Sequence, residues 1–283
     1  MDTMIDTEVA APAGATPGGR VARGRRAGAV VAPAVFFLAL VALWTLVASR
    51  NRSLLPTPGE VWRDGFTNPA VRGRLGSATL QTAKEAFVGL VIAAVLGIAL
   101  AALMDHARWV ERAVFPWAVA LQTIPVLALV PLIKARYGVG FTPRAIVCVI
   151  IAMFPIITNT LFGLQSTDEN HHDLFTLHRA GRVRRLFRLQ FPGALPAIFT
   201  GLRISAGLSV IGAIIGEYFF RSGDSGLGHL IETYRAGRNA YDDAALFATV
   251  ITACVMGVAV FVVFTWIANA ATKNWYEAAA RSE

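Results

Sequence analysis

Ala29–Ala48 runs for 20 residues without a charged side chain. As a helix rising about 1.5 Å per residue, it is long enough to cross a hydrocarbon core of about 30 Å. The apolar part of a cleaved export signal is usually shorter, about 7–15 residues. Five more apolar stretches follow: Ala86–Met104, Val110–Ile133, Ala145–Leu164, Leu195–Phe220 and Ala244–Ala271. The third contains Pro116, Pro125 and Pro131, and the fourth contains Pro155. These stretches predict an all-α integral membrane protein with six transmembrane helices.

Composition agrees with residence in lipid. Only 16% of the residues are charged and mean hydropathy is +0.55, against about 25% charged in soluble domains. The basic excess, +8, is carried mainly by arginine, with only three lysines, Lys84, Lys134 and Lys273. Cys148 and Cys254 both lie inside apolar runs, where packing is the expected role rather than a disulfide framework.

The order of segments follows. Residues 1–28, rich in Ala, Gly, Pro and Thr, read as a disordered tail ending in Arg20, Arg23, Arg25 and Arg26. The first span is 29–48, and 49–85 is an outer segment leading into the second helix. A core of 86–271 holds the other five spans and a long polar loop, 165–192, and residues 272–283 form a second tail. Six spans put both termini on one side. The arginines before the first span favour termini inside, although the loops on the two faces carry nearly equal positive charge.

Two ladders of small residues predict close helix packing. Gly89, Ala93, Gly97 and Ala101 lie four apart on the second span; Gly201, Ser205, Ser209 and Ala213 repeat the spacing on the fifth, beside Gly212 and Gly216. Such spacing lets helix backbones approach in lipid.

Known catalytic signatures are missing. No lysine follows a glycine, so there is no P-loop, and neither G-x-S-x-G nor H-E-x-x-H occurs. His171, His172 and His178 near Asp168, Glu169 and Asp173 read as a polar loop facing water rather than as metal ligands. No enzyme activity, metal or cofactor is expected. Polar groups within or beside the spans are the candidates for a translocation path: Glu85, Gln122, Asn159, Arg203 and Glu217. Each has an alternative as a helix–helix hydrogen bond, and Arg203 one as a side chain snorkelling to the surface.

The polar loop has a pattern of its own. Asp168–His178 predicts a short helix led by acidic residues, Gly181 a turn, and Arg182–Gln190 a second short helix ended by Pro192. Within it, Leu189-Gln190-Phe191-Pro192 matches the close of the motif E-A-A-x3-G-x9-I-x-L-P. Asp173-Leu174-Phe175 occupies the E-A-A slots and Arg179 the glycine slot, with Gly181 two residues later. On this motif the chain resembles the membrane permeases of binding-protein-dependent ABC importers. "LPTPGEVW" at 55–62, "IPVLALVPL" at 124–132, "FPIITNTLFGLQSTD" at 154–168, "ALPAIFTGLRISAGLSVIGAIIGEYF" at 194–219 and "GLGHLI" at 226–231 resemble its nitrate/taurine/sulfonate-type branch, which includes thiamine-precursor and riboflavin-type permeases. Lys134 and Arg136 depart from it, since relatives continue apolar and aromatic there.

The resemblance implies a type I ABC importer permease in the bacterial inner membrane with both termini cytoplasmic. It implies two copies of this chain, a cytoplasmic ATPase dimer, an extracytoplasmic solute-binding protein and no hydrolysis by the chain itself. Coupling to the ATPase would fall on Asp173, Leu174, Phe175, His178, Arg179, Ala180, Gly181 and Pro192. Thiamine precursors, riboflavin-like solutes, nitrate, taurine and sulfonates are the substrates to consider. The alternative is an ion-coupled secondary transporter, which would need buried carboxylates and internal repeats; no such repeat is visible. A nucleic-acid partner is not expected, because the Arg179–Arg188 cluster lacks interleaved recognition residues and a separate domain.

Overall fold

The computed structural model describes residues 20–51, 55–221, 225–237 and 240–279. Secondary structure among them is helical. The chain divides into two units, Met1–Pro58 and Gly59–Glu283. The first unit holds α1 (Arg20–Arg50), and the Trp44 indole N–H donates to the Pro56 carbonyl at 3.1 Å, tying the segment after α1 back to it. The helix begins at Arg20, inside the expected tail, since Ala and Arg both sustain helix. Residues 1–19 of that tail lie outside the described residues.

The second unit is a bundle. It contains α2 (Pro69–His106), α3 (Arg108–Thr123), α4 (Val126–Tyr137), α5 (Phe141–Gln165), α6 (Glu169–Leu177), α7 (Arg182–Phe219), α8 (Leu227–Ala236) and α9 (Ala240–Ala279). Asn68 caps α2 by accepting from the Ala70 N–H at 3.0 Å, and Pro69 supplies a fixed first-turn φ. α9 runs past the expected span end into residues 272–279. Residues 280–283 of the second tail lie outside the described residues.

Across both units five of the described helices are long and apolar enough to span a membrane, and α3 with α4, a pair bent by 99°, makes a sixth if the two are counted as one span. The break follows from Pro125. The residue before a proline is driven out of the α region, and Ile124 is extended at φ −67°, ψ 124°. α4 then restarts, with the Ala128 N–H bonding to the Pro125 carbonyl at 2.8 Å. Gly138 and Gly140 turn the chain into α5 at φ +70° and +115°, which a side chain rarely adopts.

α5 is the centre of the bundle, between α2 and α7. Both ladders of small residues face it. A Cβ on Gly97 would lie 2.9 Å from Ile156, one on Gly212 2.8 Å from the Cys148 Cα, and one on Gly201 2.8 Å from the Pro155 carbonyl. Ser205 donates to the Ala152 carbonyl at 2.6 Å across the same interface. Leu90, Ala93, Ala152, Ile156 and Ala206 fill the core between these contacts. Cys148 is buried between the ladders, whereas Cys254 is exposed on α9.

α7 departs from expectation. Arg182–Arg185, a π-helical turn at Leu186–Gln190 and Phe191–Phe219 form one helical rod, so Pro192 does not end a helix. Proline clashes with the carbonyl four residues back, and the wider π turn just before it relieves that clash.

Candidate functional site

Three sites emerge along the bundle. The first is a buried charge cluster where α5 begins and α7 finishes, against the middle of α2. Arg144, just outside the expected span Ala145–Leu164, lies in the first turn of α5 and is 2% exposed. Its Nη1 donates to Glu85 Oε1 at 2.8 Å and its Nε to the Phe220 carbonyl at 2.9 Å. Gln81 donates to the same Glu85 oxygen at 2.9 Å. Glu217 Oε2 accepts from the Gly228 N–H at 2.7 Å and the Thr82 hydroxyl at 3.0 Å, while Thr82 accepts from the Leu227 N–H at 2.9 Å. A Cβ on Gly226 would overlap the Glu217 carboxylate, and one on Gly228 the Ile214 carbonyl, so both glycines permit close approach of α8. The cluster ties α2, α5, α7 and α8 together. Glu85 and Glu217, expected along a path, are fully buried within it.

The second site is a cavity of about 460 Å³ between α3, α4, α5 and α7. It brings together Gln122 and Asn159, with Thr158, Phe154 and Pro155 beside them and no charged side chain in its lining. The Asn159 amide N–H donates to the Pro155 carbonyl at 2.8 Å, which fixes the side chain and leaves its oxygen as the acceptor. Arg203 is not in this lining. Its guanidinium carbon sits 5.7 Å from the Phe261 ring centroid, and its Nε is buried without a hydrogen-bond partner among the described residues.

The third site is the polar segment from α6 to the start of α7. Arg179 has φ +50°, the only positive φ at a non-glycine among the described residues. The Arg179 N–H bonds to the Thr176 carbonyl and the Ala180 N–H to the Phe175 carbonyl, both at 2.9 Å. That pair of bonds is a Schellman C-terminus with Arg179 at its left-handed position. Gly181, expected to make the turn, has φ −64° and instead precedes α7. Asp173, His178 and Arg179 are exposed, as is Leu174, while Phe175, Ala180 and Pro192 are half-buried. Leu174, Leu177, Val183 and Phe187 are all exposed apolar side chains on this segment. It is anchored by Gln190, which donates to Asp105 at 2.9 Å, by Arg185 to Thr176 at 2.9 Å, and by Gln165 to Glu111 at 3.1 Å.

Residues 93–273 match the model of the family described as binding-protein-dependent transport system inner membrane component. The chain belongs to that family. The permease is 35% identical over 240 residues to the formylaminopyrimidine transport permease protein ThiX of Halalkalibacterium halodurans, covering 84% of this chain and 93% of that one. It is 31% identical to the riboflavin transport system permease protein RibX of Chloroflexus aurantiacus, over 74% of this chain and 76% of that one. The nitrate import permease protein NrtB of a Synechocystis species is 29% identical, over 81% and 83%. In fold the permease resembles the inward-facing MetNI methionine ABC transporter, with a TM-score of 0.63 and 16% identity, over 72% of this chain and 99% of that one.

The permease is therefore the multi-pass membrane subunit of an ATP-driven ABC importer, with hydrolysis in a separate ATPase and solute supplied by a binding protein. Membership decides against the ion-coupled alternative. The sequence missed Arg144 and Thr82, which complete the charge cluster. The available signal was charge balance: Glu85 and Glu217 border spans at the same end, and Arg144 directly precedes the span that starts at Ala145 at that level.

Proposed function

We propose that this permease imports a small neutral heteroaromatic solute of the thiamine-precursor or riboflavin type, through a path that includes the Gln122–Asn159 cavity. The carrying observation is the cavity lining. It offers an amide on each side and apolar and aromatic walls, with no cation to hold nitrate, taurine or a sulfonate. A flat ring with hydrogen-bonding edges suits such a surface. The likeness to ThiX and RibX supports the same class.

In this reading two copies of the chain assemble in the lipid bilayer with both termini cytoplasmic. The Asp173–Gly181 segment docks on the ATPase through Leu174, Leu177 and their neighbours. Closure of the ATPases draws the two segments together, and the rods of α7 convert this into alternating access. Glu85 and Glu217 serve as structural ties of the outer end.

Uptake measured in proteoliposomes with the ATPase and binding protein tests the substrate. Formylaminopyrimidine or riboflavin should accumulate with ATP, and Asn159→Ala should reduce uptake by about tenfold, the loss expected when a buried hydrogen bond is left unmade. Nitrate uptake without heteroaromatic uptake would overturn the substrate assignment.

A further inference from the structure

At the same end as the charge cluster, α2 and α8 enclose a groove of about 680 Å³. From α2 come Arg74, Ser77, Gln81 and Lys84, three, seven and ten residues apart and so on one helical face; from α8 come His229 and Thr233, one turn apart. The lining contains two permanent cations and no carboxylate. Glu85 is fully buried behind Gln81 and engaged by Arg144, so it does not offset the charge of the groove. Neither Arg74 nor Lys84 takes part in any of the ion pairs among the described residues.

The same face of α2 continues beyond the groove. Leu80, Phe87, Val91 and Val95 are exposed apolar side chains at intervals of seven, four and four residues, a stripe of about 22 Å along the helix. Lys84 lies within this stripe, two residues before the uncharged run that begins at Ala86. The arrangement has a cationic, hydroxyl-rich end at the depth where polar headgroups meet hydrocarbon, and an apolar track leading into the bilayer.

We infer that the α2–α8 groove binds an anionic phospholipid, its phosphate held by Arg74 and Lys84 with Ser77, Gln81 and Thr233, and its acyl chain laid along Leu80, Phe87, Val91 and Val95. A soluble anion would use the basic groove and leave the apolar track unused. An acidic surface of the binding protein would meet the groove but not the track. The amphiphile engages both. Because Gln81 also holds Glu85, the lipid phosphate would rest on the charge cluster that ties the outer ends of four helices.

Native mass spectrometry of the detergent-purified permease–ATPase complex tests this. Phosphatidylglycerol should remain bound where phosphatidylcholine does not. Arg74→Gln and Lys84→Gln should each weaken phosphatidylglycerol binding about fivefold, the loss of one cation at an anionic surface. Arg72→Gln, on another face of α2, makes the same charge change and should leave binding intact. Val91→Glu, at the apolar track, should weaken lipid binding without affecting inorganic phosphate. Equal retention of the two lipids, equal loss in all the variants, or inorganic phosphate binding as tightly as phosphatidylglycerol would overturn the lipid assignment. So would weaker docking of the binding protein in Arg74→Gln with lipid retention unchanged. Basal ATPase activity and unfolding midpoints of the variants report folding separately.

Discussion

Arg144 Nη1 lies 2.8 Å from Glu85 Oε1, and the two side chains are 2% and 0% exposed. This pair joins the first turn of α5 to α2, and through Glu85 to Gln81. Breaking a buried pair leaves an uncompensated charge, which costs about 3–5 kcal/mol. Arg144→Met should therefore lower the unfolding midpoint of the purified permease steeply. Adding Glu85→Gln should recover part of the loss, because it removes the stranded charge. An unchanged midpoint in the single variant would show that the pair contributes nothing to stability.

Thr82 is the second prediction. Its hydroxyl stands between Glu217 and the Leu227 N–H. Thr82→Val keeps the shape but leaves that N–H unpaired, for about 1–3 kcal/mol. Hydrogen exchange across Leu227–Tyr234 should accelerate in Thr82→Val and stay near the parent rate in Thr82→Ser. Equal exchange in both variants would mean that α8 is held by other contacts.

These residues also show how the sequence divides into legible and illegible parts. Span positions follow from the solvent: a run such as Ala244–Ala271 has one stable place. The packing ladders were legible because only small side chains let two backbones approach, and Gly97 and Gly212 meet α5 as the spacing implies. Arg144 was not, since loop or helix depends on where a tertiary partner waits, and Glu85 is 59 positions away in the chain. The π turn before Pro192 was hidden for a related reason: proline marks a helix boundary locally, and continuation depends on distortion upstream. Within the candidate path, Gln122 and Asn159 share a cavity, whereas Glu85 is held by Arg144 and Gln81 and Glu217 by Thr82 and the Gly228 N–H.

The helix interface supplies a third prediction. A Cβ on Gly212 would press on the Cys148 backbone at 2.8 Å, whereas one on Gly207 meets nothing within 4 Å. Gly212→Leu should destabilise the permease by about 1–3 kcal/mol through overpacking. Gly207→Ala should be neutral or raise stability by about 1 kcal/mol, since alanine favours helix. Parallel denaturant titrations read both, and the same response at the two positions would contradict the assigned interface.

Arg179 carries the fourth. A side chain in the left-handed region costs about 1–2 kcal/mol, and glycine avoids that cost. Arg179→Gly should tighten the turn and leave ATP-coupled uptake at or above the parent level. Arg179→Val adds β-branching where φ is +50° and should lower both stability and uptake. Uptake that falls in Arg179→Gly would mean that the guanidinium itself contacts the ATPase.

The rod of α7 has a consequence for how work passes through the protein. It runs from Arg182 to Phe219, about 57 Å of helix with the π turn at Leu186–Gln190 inside it, with Gln190 gripping Asp105 near one end and Glu217 gripping α8 at the other. On the proposed docking of the Asp173–Gly181 segment, such a member acts as a drive shaft, with the π turn as the one distorted stretch along it. The Arg179–Gly181 elbow joins it to α6. In that reading, the stiffness of the elbow and of the π turn together sets how much of each stroke is delivered.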